Sequence, residues 1–347
     1  MGNKKLIHAV AGSGKTRFIV NNIDPSKRNL IITYTENNQK ILEQRLIKKF
    51  GKTPEDTHVF GVFEFLYSFC LVPYLDGRPN GINFNYIKEN QWDKNSVDKN
   101  GRIIHNQLSH ALLDGYLRYN KKTKELKYSY LDRIDQFFDF IFVDECQDFE
   151  SYDFDWMLSL SKLNAIVYLL GDFYQKTYST SLSGNKGKGI HSDINKWLGE
   201  FRKNDFDVDV TSLSNSHRCP PEICEFIKEK LGIDIMSSKP KCGLEKIKLL
   251  ENRDEIDCVM RNDATMKLFY QKSSQYDCNS LNWGESKGGE FNNVCVVLND
   301  TTRKHYKKNT LSNLAPSTKA KFYVACTRTL GNLYFVVENE VACYKSE

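Results

Sequence analysis

The sequence predicts an α/β protein built on parallel sheets flanked by helices. Three observations predict it. Short apolar runs alternate with helical stretches along most of the chain, which is the order that parallel strands with crossover helices require. Several of those runs are apolar at successive positions, as in FIFV at 140–143 and IVYLL at 166–170, and strands of that kind are covered on both faces. The first run also leads through a glycine-rich loop directly into a helical stretch, making a strand–loop–helix unit.

Taken in order, strands are predicted at 6–10, 29–33, 58–62, 140–143, 166–170, 208–213, 246–250, 294–298 and 333–337. Helices are predicted at 15–23, 38–50, 220–231 and 318–325. Two regions break the alternation. Residues 76–127 are rich in Asn, Lys, Asp and Gly, with an amphipathic piece at 108–119, and read as a small insertion within the first domain. Residues 179–190, STSLSGNKGKGI, read as a loop or linker. The expected domains are therefore 1–180, holding the insertion, and 181–347. With 347 residues and 40% hydrophobic content, the chain is long enough for two cores.

Bulk composition narrows the function less. A net charge of +5 with 27% charged residues suits a local basic groove for nucleic acid without demanding one. Ten cysteines are present, but the closest pair, Cys219 and Cys224, is not C-x-x-C. Structural zinc and iron–sulfur sites need tighter pairs, so scattered thiols of a reducing, cytoplasmic compartment are expected. The N-terminus lacks the apolar run of a signal peptide, and Gly2 lacks the Ser or Thr context of a myristoylation signal. No segment approaches the ~18 apolar residues of a membrane span, so no membrane partner is expected.

Residues 9–16 read AVAGSGKT, a phosphate-binding loop. Gly12 and Gly14 let the backbone approach phosphates, and the loop N–H groups face the anion. Lys15 reaches the β- and γ-phosphates, and Thr16 ligates Mg²⁺. Ala11, Ser13 and Arg17 complete the candidate nucleotide set. The strict pattern has glycine where this chain has Ala9. Downstream, FIFVDECQDF at 140–149 ends an apolar strand in Asp144 and Glu145. The first carboxylate belongs beside Mg²⁺, and the second is placed to polarise the attacking water. Loop and acid pair together predict hydrolysis of a nucleoside triphosphate with Mg²⁺.

DECQD is more specific than an acidic strand end. It resembles the DExQD element of superfamily 1 helicases of the UvrD/PcrA/Rep type. Further blocks follow in that family's order: LIITYTENNQKILEQRL from Leu30, GDFYQKTY from Gly171, LSNSHRCP from Leu213, ESKGGEF from Glu285 and FYVACTRT from Phe322. The resemblance implies two RecA-like P-loop domains and a motor on single-stranded DNA with 3′→5′ polarity. It implies that Thr33, Tyr34 and Thr35 hold bases and backbone, an aromatic platform tolerating any sequence. Tyr178, Ser286 and Lys287 join that DNA set. It implies that Gln175 senses the γ-phosphate and that Arg218 and Arg328 reach it from the second domain. An arginine supplied in this way is worth ~10³–10⁵ in rate. His217 stands where the family packs a tyrosine on adenine, and Glu290 is implied near the ribose.

The sequence departs from the family in four places. Eight residues precede Ala9, where the family carries a glutamine-bearing segment that reads adenine; ATP selectivity is not implied. The family's Trp–Arg pair after GDxxQSIY is Thr180–Ser181 here. The stretch between Arg218 and Ser286 is too short for the family's large extra subdomain, and the insertion in the first domain is too short for a nuclease. Two readings follow. The chain is a translocating motor, or it is an ATPase that senses DNA ends or gaps and regulates a separate partner nuclease, as in antiphage systems. The missing subdomain and the Thr180–Ser181 change favour the second.

Overall fold

A computed structural model describes residues 3–75, 79–85, 96–119, 122–125, 129–177, 189–241 and 246–346. The chain divides into two compact units. The first comprises Met1–Ile7, Thr16–Gly171 and Ser179–Asp209. The second comprises His8–Lys15, Asp172–Tyr178 and Val210–Glu347.

One sheet has six strands: β1 (Lys4–Ala9), β2 (Asn29–Thr33), β3 (Thr57–Gly61), β4 (Phe140–Val143), β5 (Ile166–Gly171) and β6 (Asp207–Leu213). Their spatial order is β6-β1-β5-β4-β2-β3. Strands β3, β2, β4 and β5 pair in parallel, with Ile31 opposite both Val59 and Phe142. Every residue of β2 is buried, including Asn29 and Thr33, as expected of a strand covered on both faces. Asn29 is accommodated because its amide donates to the carbonyls of Asp24 and Lys27 at 2.8 and 2.7 Å.

Helices α1 (Lys15–Asn21) and α2 (Glu36–Phe50) follow β1 and β2. Local chemistry sets both ends of α2. Thr35 caps its N-terminus, Glu36 sits in the first turn, Lys48 and Lys49 sit in the last, and Gly51 closes it in the left-handed region.

The amphipathic stretch at 108–119 divides in two. A helix spans Leu108–Asp114 and stops at left-handed Gly115; a strand, Tyr116–Tyr119, then pairs antiparallel with Lys122–Glu125. The helix packs on Ser151–Ser159, where the Ser109 hydroxyl donates to Asp153 Oδ1 at 2.6 Å. The insertion is thus built onto the first unit.

The second unit is centred on a five-stranded sheet: β7 (Ile247–Leu249), β8 (Thr265–Phe269), β9 (Ser280–Asn282), β10 (Asn293–Leu298) and β11 (Leu333–Val337). The order is β7-β11-β10-β8-β9, and every pair is parallel. Helices α3 (Pro221–Leu231) and α4 (Pro316–Cys326) each begin with proline in the first turn, where the missing N–H is no loss. Their buried faces meet β8, β10 and β11 around Trp283, Phe322 and Phe335.

Candidate nucleotide site

In the first unit, β4 delivers the acidic pair. Asp144, 3% exposed, continues the ladder by donating its N–H to Ile32 O at 2.8 Å. Its Oδ1 accepts the Glu145 N–H at 3.0 Å. The chain then turns at Glu145 with φ 56° and ψ 41°, a left-handed conformation uncommon for glutamate and typical of functional turns. Two bonds hold the turn. The Asp148 N–H donates to Glu145 O at 3.0 Å, and the Gln147 amide donates to Glu145 Oε2 at 2.5 Å.

Gly171, at the end of β5, has a packing reason to be glycine. A Cβ there would lie 2.5 Å from Cys146 Sγ and 2.7 Å from Gln147 Oε1. Gly171 and the DECQD turn are therefore fitted to each other within this unit.

The other predicted residues of the first unit take different positions. Thr16 is half-buried and Arg17 exposed on α1. Thr33 is fully buried. Tyr34 is half-buried, its ring edge-on to Phe63 at 6.3 Å. The Thr35 hydroxyl accepts the Asn38 N–H at 3.2 Å, so it serves as the cap of α2. Only Tyr34 of the three presents a partly open ring.

In the second unit, the loop after β1 is shaped by glycine. Gly12 has φ 72° and Gly14 φ 93°, values that L side chains avoid. A Cβ on Gly12 would meet Arg218 Cβ at 2.5 Å and Ser216 Oγ at 2.8 Å. The Ser13 N–H donates to Val10 O at 3.2 Å, and the His217 N–H donates to Gly12 O at 2.9 Å. Ala11 is fully buried, and its N–H donates to the Tyr323 hydroxyl at 3.0 Å. Lys15 is half-buried. His8, just before the loop, stands edge-on to Tyr174 at 6.2 Å. Burial first, and the Lys15 charge second, lower its pKa to about 4, so the imidazole is neutral near pH 7.

The remaining predicted residues of this unit lie on three short segments. Gln175 is 3% exposed and its N–H donates to Asp172 O at 2.9 Å. Ser216, fully buried, fixes the SHRC turn by accepting the N–H groups of Arg218 and Cys219 at 3.3 and 3.1 Å. His217 is exposed, with Nδ1 2.6 Å from Ser238 Oγ. Arg218 donates through Nε and Nη2 to Glu290 Oε1 at 2.9 and 2.7 Å. Arg328 is 2% exposed, and its Nε donates to Val324 O at 3.0 Å. The Ser286 hydroxyl is also buried and donates to Trp283 O at 2.7 Å, while Lys287 is half-buried. Tyr178, Thr180 and Ser181 lie outside the described residues.

The second unit thus brings together the loop to Lys15, Gln175, His217, Arg218, Glu290 and Arg328. The first holds Thr16, Asp144, Glu145 and Tyr34. Three residues escaped the sequence reading. Ser216 had a local signal, since a serine before a tight turn accepts backbone N–H groups. Asp172 and Tyr323 had none, because their roles depend on partners 151 and 312 residues away.

Among the described residues, no helix is long and apolar enough to cross a membrane. No curated protein matches the chain. Solved structures with similar folds include the PRRSV helicase, at 14% identity and a TM-score of 0.47 over 96% of this chain and 52% of that one. They also include the arterivirus nonstructural protein 10 helicase. In complex with DNA, that protein matches at 13% identity and a TM-score of 0.47, over 97% of this chain and 61% of that one. A further crystal structure of it matches at 12% identity and a TM-score of 0.48, over 99% and 62%. The chain spans roughly half to three-fifths of the length of these proteins. A family model, described as the viral superfamily 1 RNA helicase core domain, matches residues 109–337. That span is well over half of the chain and includes the DECQD, GDFYQ, SHR, SKGGE and CTRT blocks. The chain therefore belongs to the viral superfamily 1 RNA helicase core domain family.

Proposed function

We propose that this chain is an ATP-driven motor of the UvrD/PcrA/Rep kind acting on single-stranded nucleic acid. The observation that carries the reading is the loop. Two glycines at positive φ precede Lys15 and Thr16 at the start of α1, the arrangement that turns backbone N–H groups toward phosphate. Side chains at 12 would fill that cradle.

The residues fit Mg²⁺–ATP. The Thr16 hydroxyl and the buried Asp144 carboxylate form an oxygen-only donor set suited to a hard cation. Bound Mg²⁺ would neutralise charge on the β- and γ-phosphates. Lys15 binds the same phosphates as a point charge. Glu145, its carboxylate oriented by Gln147, accepts a proton from the attacking water. Gln175, Arg218 and Arg328 serve the γ-phosphate, and His217 and Glu290 serve the nucleoside. Tyr34 offers the base-stacking ring, and the rows of backbone contacts are left to Thr35, Lys287 and their neighbours.

The family is described for RNA helicases, and one arterivirus neighbour was solved with DNA. Both nucleic acids belong in the test. Turnover should rise with single strands more than with blunt duplex, and that stimulation should fall steeply with salt as phosphate contacts are lost. Lys15→Ala should abolish turnover, and Glu145→Gln should retain ATP without hydrolysing it. Parent-like turnover in Glu145→Gln would sink the assignment of the base.

One observation favours the second reading, a nucleic-acid-sensing ATPase that regulates a partner nuclease. Between Arg218 and Ser286 the described elements are α3, β7 to β9, a short strand at Met236–Ser237, the helix Arg253–Arg261 and a single 3₁₀ turn. These elements leave little chain for a further subdomain to hold duplex at a fork. Each base-pair step costs ~1.4 kcal/mol to separate. The isolated chain is therefore expected to hydrolyse ATP on single strands yet unwind poorly. Efficient unwinding of a long tailed duplex by the purified chain would overturn this.

A further inference from the structure

Tyr323 lies on α4 and is fully buried. Its hydroxyl accepts the Ala11 N–H at 3.0 Å and donates to Asp172 Oδ2 at 3.1 Å. Its ring stands edge-on to Tyr174 at 6.1 Å, and the Tyr174 N–H donates to the other oxygen of Asp172 at 3.1 Å. One phenol thus ties the phosphate loop to the turn that carries Gln175, all within the second unit. A phenylalanine would fill the same space and make neither bond. A hydroxyl has one hydrogen to give and lone pairs to receive, and both capacities are used here in opposite directions. Burial, and then the Asp172 carboxylate, push the Tyr323 phenol well above its usual pKa, so it keeps the proton that it donates.

From these contacts we infer that Tyr323 is a positioning residue that holds the phosphate loop in its binding shape before nucleotide arrives. This rests on the reading that the loop binds nucleotide. The Ala11 N–H points into the protein, onto Tyr323, and the Ser13 N–H closes back on Val10 O. Both ends of the Gly12 bend are therefore fixed by protein groups. A loop ordered in advance loses less conformational freedom on binding, which raises affinity without touching the ligand. The effect belongs to binding and not to the chemical step.

Tyr323→Phe tests this, with Tyr306→Phe as control. Tyr306 is a half-buried tyrosine packed against the same core, and it makes no described bond to the loop. Binding of a non-hydrolysable ATP analogue, ATPase kinetics and thermal midpoint are measured together. The expected result is affinity for the analogue about tenfold weaker and KM raised to match. The value of kcat at saturation stays within about threefold, and Tyr306→Phe keeps parent affinity. Affinity unchanged in a folded Tyr323→Phe, even with a lower midpoint, overturns the inference and leaves a packing role only. Equal loss in both variants also overturns it. A second measurement needs no variant. In the nucleotide-free parent the Ala11 amide should exchange slowly with solvent, and rapid exchange overturns the inference should Tyr323→Phe fail to fold. A parent chain that does not bind the analogue overturns the nucleotide reading itself, and this inference with it.

Discussion

Arg218 donates through two nitrogens to a single carboxylate oxygen of Glu290, at 2.9 and 2.7 Å. The arginine side chain is 12% exposed and that of the glutamate 50%. An arginine held in this way is restrained by charge and geometry together. Its catalytic use then requires exchange of one anionic partner for another.

Glu290→Gln should therefore loosen the restraint. A partly exposed pair adds little stability, so the thermal midpoint should barely move. If bound nucleic acid stimulates turnover by freeing Arg218 from this carboxylate, basal turnover should rise relative to turnover with single strands. The ratio of stimulated to basal ATPase rates is the readout. An unchanged ratio would remove the restraint from the account.

Gly12→Ala should weaken both fold and binding. The residue sits at φ 72°, and the new methyl would meet Arg218 Cβ at 2.5 Å. Strain of this kind costs about 1–3 kcal/mol. Gly51→Ala is the comparison: φ is 80°, yet nothing lies within 4 Å of the added carbon. It should lower stability by about 1 kcal/mol and leave nucleotide affinity alone. Equal nucleotide affinity in the two variants would contradict the fitted loop.

Gly171→Ala is expected to act at a distance of one turn. The methyl would strike Cys146 Sγ and Gln147 Oε1, and Gln147 orients the Glu145 carboxylate. Turnover should fall more than tenfold while nucleotide affinity stays within a few-fold. Adding Cys146→Ala should restore part of the rate by vacating one of the two contacts. A double variant as slow as the single one would locate the defect elsewhere.

These residues also mark what could be read in advance. The glycine loop, the acid pair and the nine strands were legible because their signals are local: apolar runs between breakers, and motif spacing. Each of the nine predicted strands overlaps a strand of the fold. Strand β8 was not legible. Its sequence TMKLF carries Lys267 at the centre, a residue fully buried because its ammonium donates to Asn262 O at 2.8 Å. Burial of a lysine is set by a partner, not by pattern. The helix Arg253–Arg261 escaped too; its nine residues rest on the Asn252 cap and on packing of Ile256 and Met260. The roles of Gly171 and Tyr323 depend on contacts between remote segments, and no spacing rule reports those.

His8 gives the chain a pH dependence whose sign follows from its environment. The imidazole is 7% exposed. Desolvation, then the Lys15 charge, hold its pKa at about 4 against 6.5 for the ordinary group. At pH 7 it is neutral in both the folded and the unfolded chain, and its full contribution is present. Between pH 6.5 and about 4 the unfolded chain takes up a proton that the folded chain refuses, so stability falls as the solution is acidified. Below about 4 both forms are protonated and the loss levels off. A shift of this size corresponds to about 3 kcal/mol across the window. His8→Gln removes the titrating group. Carboxylates also titrate toward the acid end, but they are common to both proteins, so the difference between parent and variant isolates His8. Urea midpoints measured from pH 7 to pH 4 should fall more steeply for the parent than for His8→Gln. Parallel curves would show that His8 titrates normally and that its buried environment is not the one described.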